Sequence, residues 1–291
     1  MFFSGLADEA SPLLQKQIEA HRALGWSHVE IRNIEGKNLT DLPDEAFDRV
    51  AAAIEESGLR VSCFSSQLAN WSRRIDSDFE RDMAEMRRAV PRMARLSTPF
   101  IRCMSYPNAD PPWENSRWKA EAVRRLRTLA RMAEDGGVTL VHENCSGWAG
   151  LGPSQTLELL EEVGSPRLRL VFDTGNPVPY GQNTWEYYQA VREHVVYVHI
   201  KDYRLGPGGK EEAVFAGEGQ GAVRDVVSDL LRSGYDGGFS IEPHITSVVH
   251  LAKEASDPEL AWRTYIEYGK RFERLVGEVL RSERIAGQSR S

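Results

Sequence analysis

A closed (β/α)8 barrel, the α/β TIM-barrel architecture folded as a single domain, is predicted by three observations. Eight apolar strand-like runs recur along the 291 residues, a segment of helical periodicity follows each, and no linker divides them. Chains of this length commonly form one such unit. A doubly wound open sheet is the other architecture that alternating strands and helices allow.

The runs are "FFSGLA" from Phe2, "HVEIRN" from His28, "RVSCFSS" from Arg60, "FIRCMSY" from Phe100, "VTLVHEN" from Val138, "LRLVFDTGN" from Leu168, "VVYVHIKD" from Val195 and "GFSIEPH" from Gly238. Their middles are rich in Val, Ile, Leu and Phe, as in parallel strands covered on both faces. The barrel is expected over residues 1–280, with "RSERIAGQSRS", residues 281–291, as a disordered tail.

Between the runs, Ser11-Pro12 offers a cap followed by proline at the first helical position, and Leu13, Ile18 and Leu24 form an apolar stripe. Leu42-Pro43-Asp44 opens a second helix. Phe79, Met83, Met86, Val90, Met93 and Leu96 mark a third, read as core packing rather than a cofactor box, with Pro91 expected to kink or break it. Tyr203 to Gly221, containing "GPGGK" and "AGEGQG", is a long irregular loop expected on the catalytic rim. From Asp257 onward, Leu260, Trp262, Tyr265, Tyr268, Phe272, Leu275 and Val279 form a helix that closes the barrel or builds an interface.

Composition narrows the function classes. A net charge of −7 disfavours attraction to a polyanion, so nucleic acid is not expected as a partner. Cys63, Cys103 and Cys145 form no C-x-x-C pair and lie in or beside apolar runs, which reads as reduced, buried thiols in a cytosolic protein. The opening "MFFSGLADEAS" lacks basic residues and reaches Asp8 and Glu9 after a short apolar run, so neither a signal peptide nor a membrane span is expected. The expected location is the cytoplasm.

The ends of the later strands carry the chemistry. Glu143 follows "TLVH", Asp173 follows "LVF", His199 follows "YV" and Glu242 follows "SI". In a parallel barrel these ends converge on one face, so four metal-competent side chains distant in sequence can meet around one ion. Three carboxylates and one imidazole suit a fairly hard divalent ion, Mn²⁺ foremost, with Mg²⁺ and Co²⁺ as alternatives, better than thiol-loving Zn²⁺.

These elements resemble the xylose-isomerase-like barrels, a family of sugar phosphate isomerases and epimerases, over nearly the whole chain. The matching elements are "HEN" with Glu143, "FDTGN" with Asp173, "HIKD" with His199 and "IEPH" with Glu242; "AGEGQG" resembles the family's G-E-G loop through Gly217, Glu218 and Gly219. The resemblance implies one divalent metal that stabilises an enediolate as an α-proton leaves a keto sugar. It also implies that Glu143 and Glu242 serve as both ligands and acid/base groups, and that the protein is a homodimer.

One departure stands out. Many relatives carry D-x-x-H after strand six, whereas this chain has Asp173-Thr174-Gly175-Asn176. Asn176 can hydrogen-bond a sugar hydroxyl but cannot act as a base near neutral pH. His142, His244 and Lys201 are the substitute candidates for proton transfer; alternation along the strand alternatively turns His142 outward into the helix layer, and inclines Lys201 to the side of His199. Trp148, Trp71, Gln67, Arg32, Asn176 and Arg204 are the candidate substrate contacts. No anion-binding glycine-rich loop opens a helix, so an unphosphorylated sugar is favoured.

Two enzyme readings share the enolate: an isomerase or epimerase, and a lyase or dehydratase that eliminates a β-substituent from a 3-keto sugar, keto-glycoside or keto-inositol. The family also resembles apurinic endonucleases with three-metal clusters, but "IRN", "FSSQ" and "CMSYPN" at strands two to four offer no histidine. A non-catalytic barrel is disfavoured because three buried carboxylates without an ion repel one another. A required partner subunit stays open.

Overall fold

The apolar runs become eight strands of one wholly parallel sheet in the computed structural model, which describes residues 1–246 and 257–288. We label them β1 (Phe2–Gly5), β2 (His28–Ile31), β3 (Arg60–Phe64), β4 (Phe100–Ser105), β5 (Thr139–Gly147), β6 (Leu168–Asp173), β7 (Val195–Ile200) and β8 (Gly238–Ile241). From β2 to β8 each pairs with its sequence neighbour, and β1 pairs with β8. A single parallel bridge, Leu6 to Glu30, connects the remaining edges of β1 and β2, so the barrel is nearly closed. The open-sheet alternative is thereby excluded.

Eight helices follow the strands: α1 (Leu14–Leu24), α2 (Asp44–Ser57), α3 (Glu80–Leu96), α4 (Asn115–Asp135), α5 (Pro153–Val163), α6 (Thr184–Val191), α7 (Val223–Arg232) and α8 (Pro258–Gln288). α1 begins two residues later than its Ser-Pro signal suggests, because the Ser11 hydroxyl accepts from the Leu13 amide in a local turn and leaves Pro12 outside the helix. α3 runs unbroken through Pro91, with Met86 and Met93 fully buried, so the expected break is absent and the methionine stripe is core. α8 buries Tyr265, Tyr268, Phe272, Leu275 and Val279 in the core shared with β7, β8 and α7. It reaches Gln288, inside the stretch set apart above as a tail; the last three residues lie outside the described ones.

Inside the barrel, Cys63, Val141, Val171 and Tyr197 form an apolar plug. Two residues further along three of these strands stand Glu143, Asp173 and His199. The strand period of two therefore stacks the polar site directly over the plug. The three cysteines are free thiols, Cys63 and Cys103 buried and Cys145 half-buried.

Within Tyr203–Gly221, Tyr203–Leu205 and Glu211–Ala213 pair as a short antiparallel hairpin. The segment behind it is fastened by Asp202, whose carboxylate accepts from the amides of Gly217 and Gly219, each at 2.9 Å, and of Gly221 at 2.8 Å. A Cβ on Gly219 would stand 2.4 Å from Asp202 Oδ1 and from the Tyr203 carbonyl oxygen. The final Asp of "HIKD" and the glycines of "AGEGQG" are thus one device.

Candidate functional site

Glu143, Asp173, His199 and Glu242 come together at the C-terminal mouth of the barrel, all buried, with one ligand atom of each within 4.8 Å of the others. Glu143 Oε2 and Asp173 Oδ2 are ion-paired, with Arg102 and Lys201, and His199 Nδ1 is a buried atom without a hydrogen-bond partner. Buried polar atoms are ordinarily satisfied, so an unpartnered imidazole nitrogen beside carboxylate oxygens that already face cations fits a cation-binding set.

Asp173 ends β6 and is set by two neighbours. The side-chain oxygen of Asn144 accepts from the Asp173 amide at 2.7 Å, and its NH2 donates to the Asp173 carbonyl at 2.9 Å, as a second peptide group would. Asp173 Oδ1 in turn accepts from the amides of Gly175 and Asn176. Its Oδ2 lies 2.9 Å from Lys201 Nζ. Burial, with the charges of Glu143 and Glu242, raises its pKa to about 6 against the opposing pull of Lys201.

Glu143 faces Arg102 Nη1 at 3.3 Å, and Asn176 Nδ2 donates to its Oε1 at 3.1 Å. Burial alone would raise its pKa; Arg102 and His199 outweigh burial and hold it at about 2. Glu242 receives Arg32 Nη1 at 2.7 Å on one oxygen and Lys201 Nζ at 2.8 Å on the other. His244 Nε2 stands 3.3 Å from the first of these oxygens. These groups, Lys201 first among them, overcome the effect of burial and hold the Glu242 carboxyl well below the usual range.

His199 bonds through Nε2 to both oxygens of Glu30, each at 3.1 Å, leaving Nδ1 toward Glu143 Oε1 at 3.6 Å. His244 sits at φ 54° just beyond β8, with Nδ1 2.7 Å from the Tyr203 hydroxyl. Burial and the Lys201 charge lower its pKa to about 4, so its imidazole is neutral near pH 7.

Above these residues opens a cleft of about 350 Å³. Glu143, Asn176, Lys201, Glu242, His244 and Trp71 line it, as the sequence suggests for residues near the site; Arg102, Cys145, Tyr180 and Tyr203 also line it and were not anticipated. Arg102 was legible as a lone cation two residues before Met104 in an otherwise apolar strand. Its guanidinium lies 5.8 Å from the centre of the Trp71 ring.

Other expected site residues are placed elsewhere. His142 shares the outward side of β5 with Leu140 and is fully buried, off the cleft; burial pushes its imidazole down to about 4. Trp148 is core: β5 continues to Gly147, and the indole turns back toward α4, where its N–H donates to Asn115. Gln67 is half-buried with its amide held by Glu85. Arg204 is exposed on the hairpin and donates to the Glu218 carbonyl. Arg32 is buried among Asp8, Glu9 and Glu242, and its guanidinium is consumed by these carboxylates rather than offered to a ligand.

Comparison with known proteins finds relatives named as epimerases and isomerases. The chain is 29% identical over 197 residues to 2-epi-5-epi-valiolone 7-phosphate 2-epimerase of an Actinoplanes species, covering 66% of this chain and 67% of that one. It is 22% identical over 237 residues to inosose isomerase of Halalkalibacterium halodurans, covering 79% and 82%. A solved D-tagatose 3-epimerase-like protein superposes with a TM-score of 0.72 at 17% identity, over 97% of this chain and 99% of that one. A profile described as xylose isomerase-like TIM barrel matches residues 18–272, and this chain belongs to that family.

Proposed function

We propose that the protein is a divalent-metal-dependent isomerase or epimerase that acts on a keto sugar or keto-cyclitol through an enediolate. The observation that carries this reading is the buried set Glu143, Asp173, His199 and Glu242, gathered within 4.8 Å at the floor of the cleft. The names of the curated relatives, an epimerase of a cyclitol ketone phosphate and an inosose isomerase, support the substrate class. The four side chains would hold one ion, and their oxygen-rich character favours Mn²⁺, with Mg²⁺ or Co²⁺ as alternatives.

When bound, the ion would supply Lewis-acid stabilisation of negative charge developing on the substrate oxygens. Proton transfer falls to the protein. Glu143 and Glu242 are both ionised and both line the cleft, so each can receive an α-proton from a ketone held between them. Arg102 and Asn176 orient the first, Arg32 and Lys201 the second. Neutral His244, hydrogen-bonded through Nδ1 to Tyr203 and with Nε2 beside Glu9 and Glu242, lines the same wall. Trp71 offers an indole face for the C–H face of a ring.

The test uses the full chain, stripped with EDTA, reloaded with Mn²⁺ and incubated in D2O with a panel of ketoses and keto-inositols. Deuterium is expected at the α-carbon of recovered substrate, together with an epimeric or isomeric product. Glu143→Gln and Glu242→Gln should each abolish exchange. Failure of exchange with every member of the panel would overturn the reading. An accumulating unsaturated ketone, seen by its ultraviolet absorption, would replace epimerisation by β-elimination.

A further inference from the structure

Glu30 is a carboxylate held where no substrate can reach it. It lies on β2, is fully buried and does not line the cleft. Its side chain reaches across the barrel interior to β7, where both oxygens stand 3.1 Å from His199 Nε2. Two hydroxyls also donate to it: Ser65 to Oε1, and Ser240 to Oε2 at 2.6 Å. Ser240 lies on β8 two residues before Glu242, which follows the strand's end, so one short stretch of chain braces Glu30 and presents a site carboxylate.

A buried ionic pair is weak evidence for stability, because desolvation offsets most of the attraction. The geometry supplies a different use. With its acceptors committed to Ser65, Ser240 and His199, Glu30 requires a proton on Nε2. The ring is then fixed so that its other nitrogen, Nδ1, is the one that faces Glu143 and lacks a hydrogen-bond partner. Metal-bound imidazoles generally donate their second N–H to a carboxylate or carbonyl, which sets tautomer and ring orientation and raises ligand basicity.

We propose that Glu30 is a positioning residue that presents His199 Nδ1 to a divalent cation, with Ser65 and Ser240 holding it in place. This rests on the metal-binding reading above. The experiment compares Mn²⁺ dissociation constants of the metal-stripped full chain, Glu30→Gln and His199→Gln by calorimetry, with far-UV circular dichroism and melting of each metal-free protein alongside. Glu30→Gln, folded like wild type, should weaken Mn²⁺ binding about 10- to 100-fold. A folded Glu30→Gln that binds Mn²⁺ as wild type does would overturn the proposal while leaving the metal site standing. If wild type and His199→Gln bind Mn²⁺ equally, the metal-binding reading fails first. Should Glu30→Gln not fold, Ser240→Ala replaces it: several-fold weaker binding supports the role, and unchanged binding overturns it.

Discussion

Replacing Lys201 with methionine separates the two ways in which the site carboxylates can be neutralised. Lys201 Nζ stands 2.9 Å from Asp173 and 2.8 Å from Glu242, and the side chain is about 3% exposed. Its stem packs where Gly175 leaves room, since a Cβ there would approach Lys201 Cγ to 2.7 Å. Methionine keeps most of that stem and removes only the charge. Leaving buried carboxylates without their cation costs roughly 3–5 kcal/mol. For a domain of this size that corresponds to a fall in melting temperature of roughly 5–15 °C in EDTA. A bound divalent ion would take over the neutralisation; without the competing lysine charge the carboxylates should bind it more tightly, and by linkage stabilisation grows as the dissociation constant falls. Saturating Mn²⁺ should therefore raise the melting temperature of Lys201→Met more than that of wild type, narrowing the gap between them. Scanning fluorimetry of both proteins, in EDTA and in excess Mn²⁺, reads this directly. An equal gap under both conditions would refute the argument that lysine and metal share the same carboxylates.

Two further expectations concern groups away from the ligands. His21 joins α1 to α8, with Nδ1 2.7 Å from the His28 carbonyl oxygen and Nε2 3.0 Å from the Tyr265 hydroxyl; burial lowers its pKa from 6.5 to about 4. The unfolded chain then binds the proton more readily, so stability is complete above pH 6.5 and declines as pH falls toward 4, by up to ~3 kcal/mol. Urea unfolding between pH 7.5 and 4.5 should show this slope, reduced in His21→Gln; identical slopes would discount His21. Trp148→Phe, in the core, should lower stability by about 1–3 kcal/mol with KM unchanged, whereas Trp71→Ala should raise KM with little effect on melting. A reversal of these two outcomes would place the substrate on the other indole.

The four candidate ligands lie at strand ends, and a parallel barrel makes that position meaningful without any knowledge of distances. Asp202 and the glycines after it were visible as motifs, though not as partners. Glu30 was hidden because its role depends on reaching His199 three strands away around the sheet. Arg32 was read as a substrate contact because it follows a strand end; only the approach of Asp8 and Glu9 from β1's turn shows it already committed. Trp148 was displaced by strand length: β5 runs four residues past Glu143, and the chain turns inward where a rim was expected. His142 followed simple alternation.

The wall that carries Trp71 has its own anchorage. Asp82 and Glu85 of α3, both fully buried, take the Arg73 guanidinium, and they also accept from the amides of Ala69 and Gln67. None of these contacts involves a residue of the four-member ligand set. The segment from Ser66 to Ile75 and its two acidic posts therefore form a unit that touches the floor through Arg102, which donates to the Ser66 carbonyl and faces Glu143: a graft of loop and posts changes the lining of the cleft and keeps the floor's chemistry where that carbonyl is kept in place. Specificity in this barrel can evolve, or be engineered, on a part fastened to α3 on one side and to Arg102, Met104 and Tyr106 on the other.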